Sequence, residues 1–445
     1  MICIFGSQCA KIMDTTNNTS KPDWLKALEA QSWQAELIAS GLAIYGSLSL
    51  GNYIDDITQW LIPRFSDRTL GILYFAFLYV YAAHALLVIS FITHLSLRIL
   101  WAGILGLSSV YPQGINVESK SYSPSFLNRL KQEFPDLSDY SLKLDRLCSL
   151  IFSILCAMVM VMASITFWIL IYLILSELLV RIVPYQTIDK IGLILIGILL
   201  LVSTFGGILT QTGLKDTKLA KRLGYPLVMG MGSVVYLFGY RPINFILQTI
   251  RTNVTNKLFF IGMMGIFVIS LGSGMPRFFP MVPYFISDIW TDYRAHPSQS
   301  SSEHYLDDFK KTIILEPIIQ SRTPKESYLD LFIPRYKREE KYRSEICDEY
   351  SWDDDLSRFE NRNLRDEFRT WCAQQYYQLE MDGKVIPSPD FRQIKHPHQE
   401  EVGYQVFLPI DTLPQGRHIL TIKSLYQSNQ DSTTFLRSIP FYKVE

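Results

Sequence analysis

The chain has little charge over its first 275 residues, and this scarcity excludes several classes of protein. Of its 445 residues, 42 are Lys or Arg and 42 are Asp or Glu, so the formal net charge is zero. Residues 1–275 carry 20 basic and 15 acidic side chains, whereas residues 276–445 carry 22 and 27. This distribution excludes one large soluble globule, a disordered chain and a nucleic-acid-binding protein with a dominant basic face. We therefore expect a multi-pass membrane domain followed by a water-soluble domain.

Familiar catalytic and cofactor-binding motifs are also missing. The sequence contains no GxSxG, Walker A loop, HExxH or glycine-rich dinucleotide fingerprint. Its six cysteines form no CxxC pair and no Cys/His spacing typical of zinc. We therefore predict no catalytic residues, no cofactor and no nucleic-acid partner.

Long apolar stretches occur only before residue 276. A membrane span needs about 20 mostly apolar residues. Four stretches meet this requirement: 70–93, 147–175, 191–211 and 258–275. We expect each of them to form a transmembrane helix.

A fifth span is predicted over residues 35–54, which are apolar but rich in small side chains. Small residues recur there every four positions and share one helix stripe: Ala35, Ala39, Ala43, Ser47 and Gly51. Because small residues let helix backbones approach closely in lipid, we expect this stripe to face another helix. The number of spans depends on residues 226–250. If they form a re-entrant or interfacial piece, the chain has five spans, which we favour. If they cross the membrane, it has six.

Loop charges orient the helices, because Lys and Arg accumulate on the cytoplasmic side of a membrane. The tail 1–34 carries three such residues, and the loops 55–69, 96–147, 181–190 and 212–225 carry two, six, two and four. This alternation predicts a cytoplasmic N-terminus. Five spans then place the C-terminal domain outside the cytoplasm, and six place it inside. We expect the protein in the inner (plasma) membrane of a bacterium.

These patterns divide the chain into four parts. We expect a cytoplasmic tail over residues 1–34, a helical membrane domain over 35–275 with the cytoplasmic loop 96–147, a juxtamembrane linker over 276–302, and an extracytoplasmic β-rich domain over 303–445. Residues 1–12 are expected to be dispensable, because a second methionine, Met13, opens a polar stretch typical of a cytoplasmic tail.

The C-terminal part is dominated by strand-like runs. Seven runs read as short strands: 312–320, 328–334, 376–381, 384–386, 402–408, 418–426 and 433–444. Asp382-Gly383, between two of them, predicts a two-residue hairpin turn. About seven short strands with turn chemistry favour a β-sandwich, interrupted by a charged, partly helical insertion at 337–377. The pattern LPQGRHILTI at 413–422 resembles the late strands of immunoglobulin-like domains, which implies a fold rather than a function.

Both cysteines of this part, Cys347 and Cys372, lie in the helical insertion. If the domain is outside the cytoplasm, they should form a disulfide, because oxidising compartments retain such bonds. Their Cα atoms must then lie within about 7 Å of each other.

The spacing of His396, His398 and Glu400 would place their side chains on one face of a strand, where they could approach a metal ion. A solvated loop is the favoured interpretation, since Pro397 breaks a strand and no fourth ligand is evident.

Ionisable residues within membrane segments are functional candidates, and here they are His84, His94 and Glu177. For the two histidines we favour a plainer role, a neutral ring bonded to a neighbouring helix.

Three functions remain open from the sequence. The first is a membrane-anchored binding or sensing component with an extracytoplasmic recognition domain. The second is an oligomeric channel or pore with the soluble domain as cap or gate, and the third is a membrane enzyme. The expected partners are the lipid bilayer and either further copies of the chain or another membrane protein.

Overall fold

A computed structural model gives the fold of the chain. It describes residues 23–134, 136–211, 216–285, 304–309, 313–347, 350–351, 353, 355–397, 401–424 and 436–444. The expected dispensable leader 1–12 lies outside these residues, as does most of the expected linker 276–302.

The described α-helices are α1 (Asp23–Leu61), α2 (Asp67–Val110), α3 (Pro124–Glu133), α4 (Leu137–Leu179), α5 (Tyr185–Gln211), α6 (Lys218–Tyr236), α7 (Tyr240–Asn253), α8 (Asn256–Phe278), α9 (Val282–Phe285), α10 (Glu340–Arg343) and α11 (Arg358–Tyr376). At 1.5 Å per residue, the 44 residues of α2 and the 43 of α4 extend well beyond a hydrocarbon core of about 30 Å. Much of the expected loop 96–147 is therefore helical, because α2 and α4 continue past their apolar segments.

Four helical segments of the described chain are long and apolar enough to cross a membrane. They are Asp67–Val110, Pro124–Leu179, Tyr185–Thr210 and Phe259–Met281. Each of them overlaps one of the four apolar stretches found in the sequence. Neither α1 nor the pair α6 and α7, which a short 3₁₀ turn at Leu237–Gly239 separates, is among these four.

The C-terminal region contains two small antiparallel sheets of four strands each. The strands are β1 (Ile318–Ile319), β2 (Tyr328–Pro334), β3 (Tyr377–Met381), β4 (Lys384–Val385), β5 (Phe391–Lys395), β6 (Val402–Pro409), β7 (Gly416–Ser424) and β8 (Leu436–Lys443). Their order is β1-β2-β6-β5 in one sheet and β4-β3-β7-β8 in the other. Buried side chains from both sheets form one apolar core, with Leu331 and Val406 from the first and Leu379, Leu420 and Phe441 from the second.

Local patterns located most of these strands. Strand β2 has the bounds expected from the sequence, and the Asp382-Gly383 hairpin joins β3 to β4 with positive φ angles of 50° and 80°. Asp and Gly tolerate this backbone conformation, so the hairpin prediction is confirmed. Strand β5 was not expected, and the first expected run forms only the two residues of β1.

The insertion between β2 and β3 is helical in part, as expected. Helix α11 begins with a capping box in which the Ser357 side chain accepts from the backbone of Glu360 and the Glu360 side chain accepts from the backbone of Ser357. Cys372 in α11 and Cys347 after α10 are at disulfide distance, with Cα atoms 5.9 Å apart. This spacing agrees with the separation of less than about 7 Å that the pairing requires.

The chain forms two compact units. One contains the chain up to Ser47 together with Val88–Ser153, and the other contains Leu48–Leu87 together with the chain from Ile154 onwards. In the second unit, apolar side chains from helix ends and from the C-terminal region share one cluster, including Leu70, Phe278 and Tyr284 with Ile313 and Tyr336. The C-terminal region therefore packs directly on the ends of helices α2 and α8, which belong to the candidate membrane spans.

Candidate functional site

Buried charges connect the C-terminal region to the helix ends of the second unit. We call the following side chains the junction network: Asp67, Arg338, Glu339, Arg343 and Tyr377. They lie beside the apolar cluster of this unit, in a layer where unpaired charges would be costly.

Arg338 links the C-terminal region to helices α2 and α9. It is 7% exposed, its guanidinium donates a hydrogen bond to the backbone oxygen of Tyr284 in α9, and its Nε atom lies 3.7 Å from Oδ1 of Asp67. Burial lowers the pKa of Arg338, and the negative charge of Asp67 opposes this shift. Asp67 is the first residue of α2, so a cation of the C-terminal region is held between the start of α2 and the short helix α9.

Glu339, the next residue, extends the junction network into the β-rich region. Its Oε2 atom accepts a hydrogen bond of 2.6 Å from the hydroxyl of Tyr377 and lies 3.9 Å from Nη2 of Arg343. Burial raises the pKa of Glu339, whereas Arg343 and the Tyr377 hydroxyl oppose that rise. Burial, together with the nearby Glu339, also raises the pKa of Tyr377 well above its usual value, which keeps its hydroxyl protonated as the donor.

A second ion pair lies on the same side of this unit. Arg64, in the short 3₁₀ helix between α1 and α2, lies 3.6 Å from Glu401, which directly precedes β6. Glu401 is 5% exposed, and burial raises its pKa while Arg64 lowers it. Two separate positions near the α1–α2 turn are thus ion-paired with the C-terminal region.

Helix ends of this unit also carry a polar cluster that the sequence did not reveal. Arg277 near the end of α8 lies 2.8 Å from the carboxylate of Asp55 in α1 and donates to Asn52 at 2.7 Å. The hydroxyl of Tyr81 donates to Asp55 at 2.7 Å. Asp55 and Arg277 lie just outside the expected spans. Opposite charges at the ends of two spans are the sequence signal from which this ion pair could be predicted.

The structure places the three intramembrane candidates in different surroundings. His84 is buried in the second unit, and a Cβ atom added to Gly51 would lie 2.8 Å from its ring. His94 is buried in the other unit, with its Nδ1 atom 3.1 Å from the hydroxyl of Ser40 on α1. Glu177 is exposed and accepts a hydrogen bond of 3.1 Å from the hydroxyl of Tyr185. His84 and Glu177 belong to one unit and His94 to the other.

The small-residue stripe of α1 is described only in part. The side chains of Ala35 and Ala39 lie outside the described residues, and Ala43 is half-buried. Ser47 is 5% exposed, and a Cβ atom at Gly51 would overlap the guanidinium of Arg277.

The histidine pair considered for a metal is described only at His396. This residue is 7% exposed, and its ring packs edge-to-face on Phe332 with centroids 4.9 Å apart. His398 and Glu400 lie outside the described residues. Within the described part of the chain, no group of three or more His, Cys, Asp or Glu side chains is placed to hold a metal ion.

A cavity of about 260 Å³ opens beside the insertion helix α11. Cys347 and Cys372 lie in its wall, together with Arg343 of the junction network. The sequence predicts the two cysteines. It does not predict the arginines of the cavity or the junction network, because charged runs such as KREE after β2 are typical of a solvated surface.

Comparison with protein-family models, curated proteins and solved structures finds no match to this chain.

Proposed function

We propose that this protein is a membrane-anchored binding or sensing component whose C-terminal region recognises a ligand and passes a change of state to the membrane helices. The observation that carries this proposal is Arg338, which belongs to the C-terminal region and contacts both Asp67 of α2 and Tyr284 of α9. A buried cation with partners on two helices resists being moved alone, because breaking its contacts leaves charges uncompensated. Movement of the segment around Arg338 therefore also displaces the start of α2.

We further propose that the C-terminal region is an immunoglobulin-like sandwich. Its strand orders, β1-β2-β6-β5 and β4-β3-β7-β8, match the orders A-B-E-D and C′-C-F-G of such domains when strands are lettered along the chain. The insertion helix α11 then lies between strands B and C. Domains of this class present loops and edges for binding, which supports a recognition role.

The proposed topology has five spans and an extracytoplasmic C-terminal region. Helix α1 exposes large apolar side chains, with Ile38, Leu42 and Tyr45 at 67%, 69% and 75%, as a lipid-facing span would. Arg64 at the α1–α2 turn pairs with Glu401 of the C-terminal region, so both lie on one side of the bilayer. If α1 starts in the cytoplasm and crosses, that side is the outside. The pairing of Cys347 with Cys372 agrees with an oxidising compartment.

Hydrogen exchange of the intact protein in detergent tests the transmission step. Replacing Arg338→Gln should raise amide exchange at the start of α2 and around Tyr284, because both lose their buried cationic partner. Arg392→Gln is the matched control, since Arg392 is exposed on β5 and pairs only with nearby Asp390 among its described ion pairs. If the Arg338 variant leaves exchange in α2 at the wild-type level, the C-terminal region does not communicate through this contact and the proposal fails.

An oligomeric pore is the second candidate, and one observation favours it. Only 6% of the most apolar window of α5 is buried within the chain, which leaves its surface open to lipid or to further copies. Protein in liposomes that releases trapped potassium, with release altered by substitutions on α5, would support the pore. No release, together with a monomer in detergent, would support the binding component.

A further inference from the structure

The cavity beside α11 has an unusual charge balance. Four of its lining side chains are arginines: Arg335, Arg343, Arg365 and Arg369. Glu340 is the one carboxylate among the described lining residues. Tyr350 and Phe368 add aromatic surface to the wall. The described lining is therefore strongly cationic.

The fold holds these arginines in fixed relative positions. Arg365 and Arg369 are four residues apart on α11 and so lie on one helix face. Arg335 directly follows β2, and Arg343 is the last residue of α10. The bonded cysteines tie α11 to the turn after α10, so the two walls of the cavity are covalently joined.

Within the described part of the chain, three carboxylates form ion pairs with the four arginines. Arg335 pairs with Glu340, Arg343 lies 3.9 Å from Glu339, and Arg365 and Arg369 approach the carboxylate of Asp366 at 4.0 and 3.3 Å. The pKa of Arg369 is lowered by burial and by the positive charges of Arg335 and Arg365, as expected of like charges held together.

Arg343 lies deepest of the four, at 6% exposed. It donates to the hydroxyl of Tyr404 at 2.7 Å and to the backbone oxygen of Tyr336 at 3.1 Å. Its Nε atom is buried without a hydrogen-bond partner in the described part of the chain. A buried donor of this kind is costly unless an acceptor reaches it.

We propose that this cavity binds a ligand with a phosphate-type oxyanion, either free in solution or as the headgroup of an anionic lipid. Guanidinium forks bind phosphate oxygens in pairs, and a dianion with three or more acceptor oxygens engages several forks at once. The cavity is slightly smaller than a typical ligand pocket, so it suits a phosphate with a short substituent. Tyr350 and Phe368 provide the apolar contact for that substituent.

This inference rests on the proposed function, because it names the ligand class of the recognition region. Arg343 connects the two, since it lines the cavity and also contacts Tyr336 and Glu339 at the start of the junction network. An oxyanion that draws Arg343 toward the cavity also moves the segment that carries Arg338.

Thermal unfolding of the intact protein measures binding. Inorganic phosphate is titrated against protein in a non-ionic detergent, with chloride at matched ionic strength as the reference. In a second arm, the protein is placed in nanodiscs of phosphatidylcholine alone or of phosphatidylcholine mixed with phosphatidic acid. We expect a saturable rise of the unfolding midpoint with free phosphate, with phosphatidic acid, or with both, and this pattern identifies the source of the oxyanion.

Variants assign the response to the cavity. Arg365→Gln with Arg369→Gln should weaken the apparent affinity by about tenfold or more, the usual effect of losing a charge-assisted hydrogen bond. Arg365→Lys keeps the positive charge but loses the forked guanidinium, so it should give an intermediate loss of apparent affinity. Such a result would show that a folded variant retains part of the site. Arg392→Gln removes the same charge from an exposed position and should change nothing.

The outcomes separate this inference from the proposed function. No midpoint shift in either arm, or equal shifts in wild type and the double variant, overturns the oxyanion site, while the exchange test with Arg338→Gln still decides the transmission step. A saturable shift that the double variant loses establishes the site even if Arg338→Gln leaves α2 unchanged.

Discussion

The carboxylate of Asp55 and the guanidinium of Arg277 lie 2.8 Å apart, although 222 residues separate them in the chain. Asp55 belongs to α1 and Arg277 to α8, so the pair joins the first described helix to the last of the four candidate spans. The hydroxyl of Tyr81 in α2 donates to the same carboxylate. One acidic side chain of α1 therefore binds side chains of two other helices, α2 and α8.

We expect this pair to stabilise the helix bundle measurably. Replacing Arg277→Gln removes charge-assisted hydrogen bonds, each of which contributes about 1.5–3 kcal/mol, and the partial exposure of both side chains places the effect near the lower end. A double-mutant cycle with Asp55→Asn, followed by thermal unfolding in detergent, measures the coupling. The exposed pair Arg392 and Asp390 serves as control and should show almost none. Equal coupling in the two cycles would contradict the assignment.

Close contact between α8 and α2 depends on Gly274. A Cβ atom at this position would lie 2.8 Å from the backbone carbonyl atoms of Tyr81 and 2.9 Å from the backbone nitrogen of Ala82. Backbone cannot move aside like a flexible side chain, so Gly274→Ala should push the helices apart and lower the unfolding midpoint by several degrees, the shift that about 1–2 kcal/mol produces.

Gly272 provides the matched control on the same helix. A Cβ atom there meets nothing within 4 Å, so Gly272→Ala should be neutral or slightly stabilising because alanine favours the helix by about 1 kcal/mol. If both alanine variants unfold at the same temperature, the close approach at Gly274 does not limit packing.

The α1 stripe gives a related expectation. Ala43→Leu should disturb helix assembly more than the same change at a lipid-facing alanine, because Ala43 shares its stripe with the buried Ser47. The fraction of monodisperse protein after size-exclusion chromatography reports this. Equal fractions for the two leucine variants would indicate that the stripe borders lipid.

The bond between Cys347 and Cys372 should stabilise the C-terminal region. Its residues are 25 apart in sequence, and closing a loop of that length contributes on the order of 3 kcal/mol in the chain-entropy account. The double replacement by serine should therefore unfold the region at lower denaturant concentration. Reducing agent should produce the same shift in wild type and none in the double variant. A reductant effect that persists without the two cysteines would point to another cause.

Sequence patterns located the elements whose signals are local. The four apolar stretches became four candidate spans because continuous apolarity over about 20 residues has few other uses. The Asp382-Gly383 turn was predictable because its backbone needs two residues that tolerate positive φ. Strand β5 was missed because it is short and mostly polar, and only Phe391 in it is buried.

The candidate site was largely hidden because its contacts are non-local. Arg338 and Asp67 are distant in sequence, and nothing in the charged run after β2 distinguishes a buried arginine from a solvated one. The arginines of the cavity come from three separate elements, and only Arg365 and Arg369 share a helical spacing. The two cysteines are the exception, since the chemistry of an oxidising compartment is a reason to pair them from the sequence alone.

The final prediction concerns the pH dependence of the β-rich region and depends on His418. Its Nδ1 atom lies 2.7 Å from the carboxylate of Asp382, and its Nε2 atom lies 2.7 Å from the backbone oxygen of Pro414. Neither partner donates a proton under neutral conditions, so both ring nitrogens act as donors only in the protonated imidazolium. Burial opposes this charge, but the bonds to Asp382 and Pro414 outweigh it and raise the pKa of His418.

A raised pKa in the folded state contributes stability below the unfolded value of about 6.5, and that stability is lost as the pH rises through the folded pKa of His418. The pKa of Asp382 is lowered, since the bonds from His418 and the Ile419 amide outweigh burial, so its contribution is lost as the pH falls from about 4 through its folded pKa. The unfolding midpoint of the β-rich region should therefore decline from near-neutral to alkaline pH. His418→Gln should flatten that decline, and a decline of unchanged size in this variant would assign it to other groups.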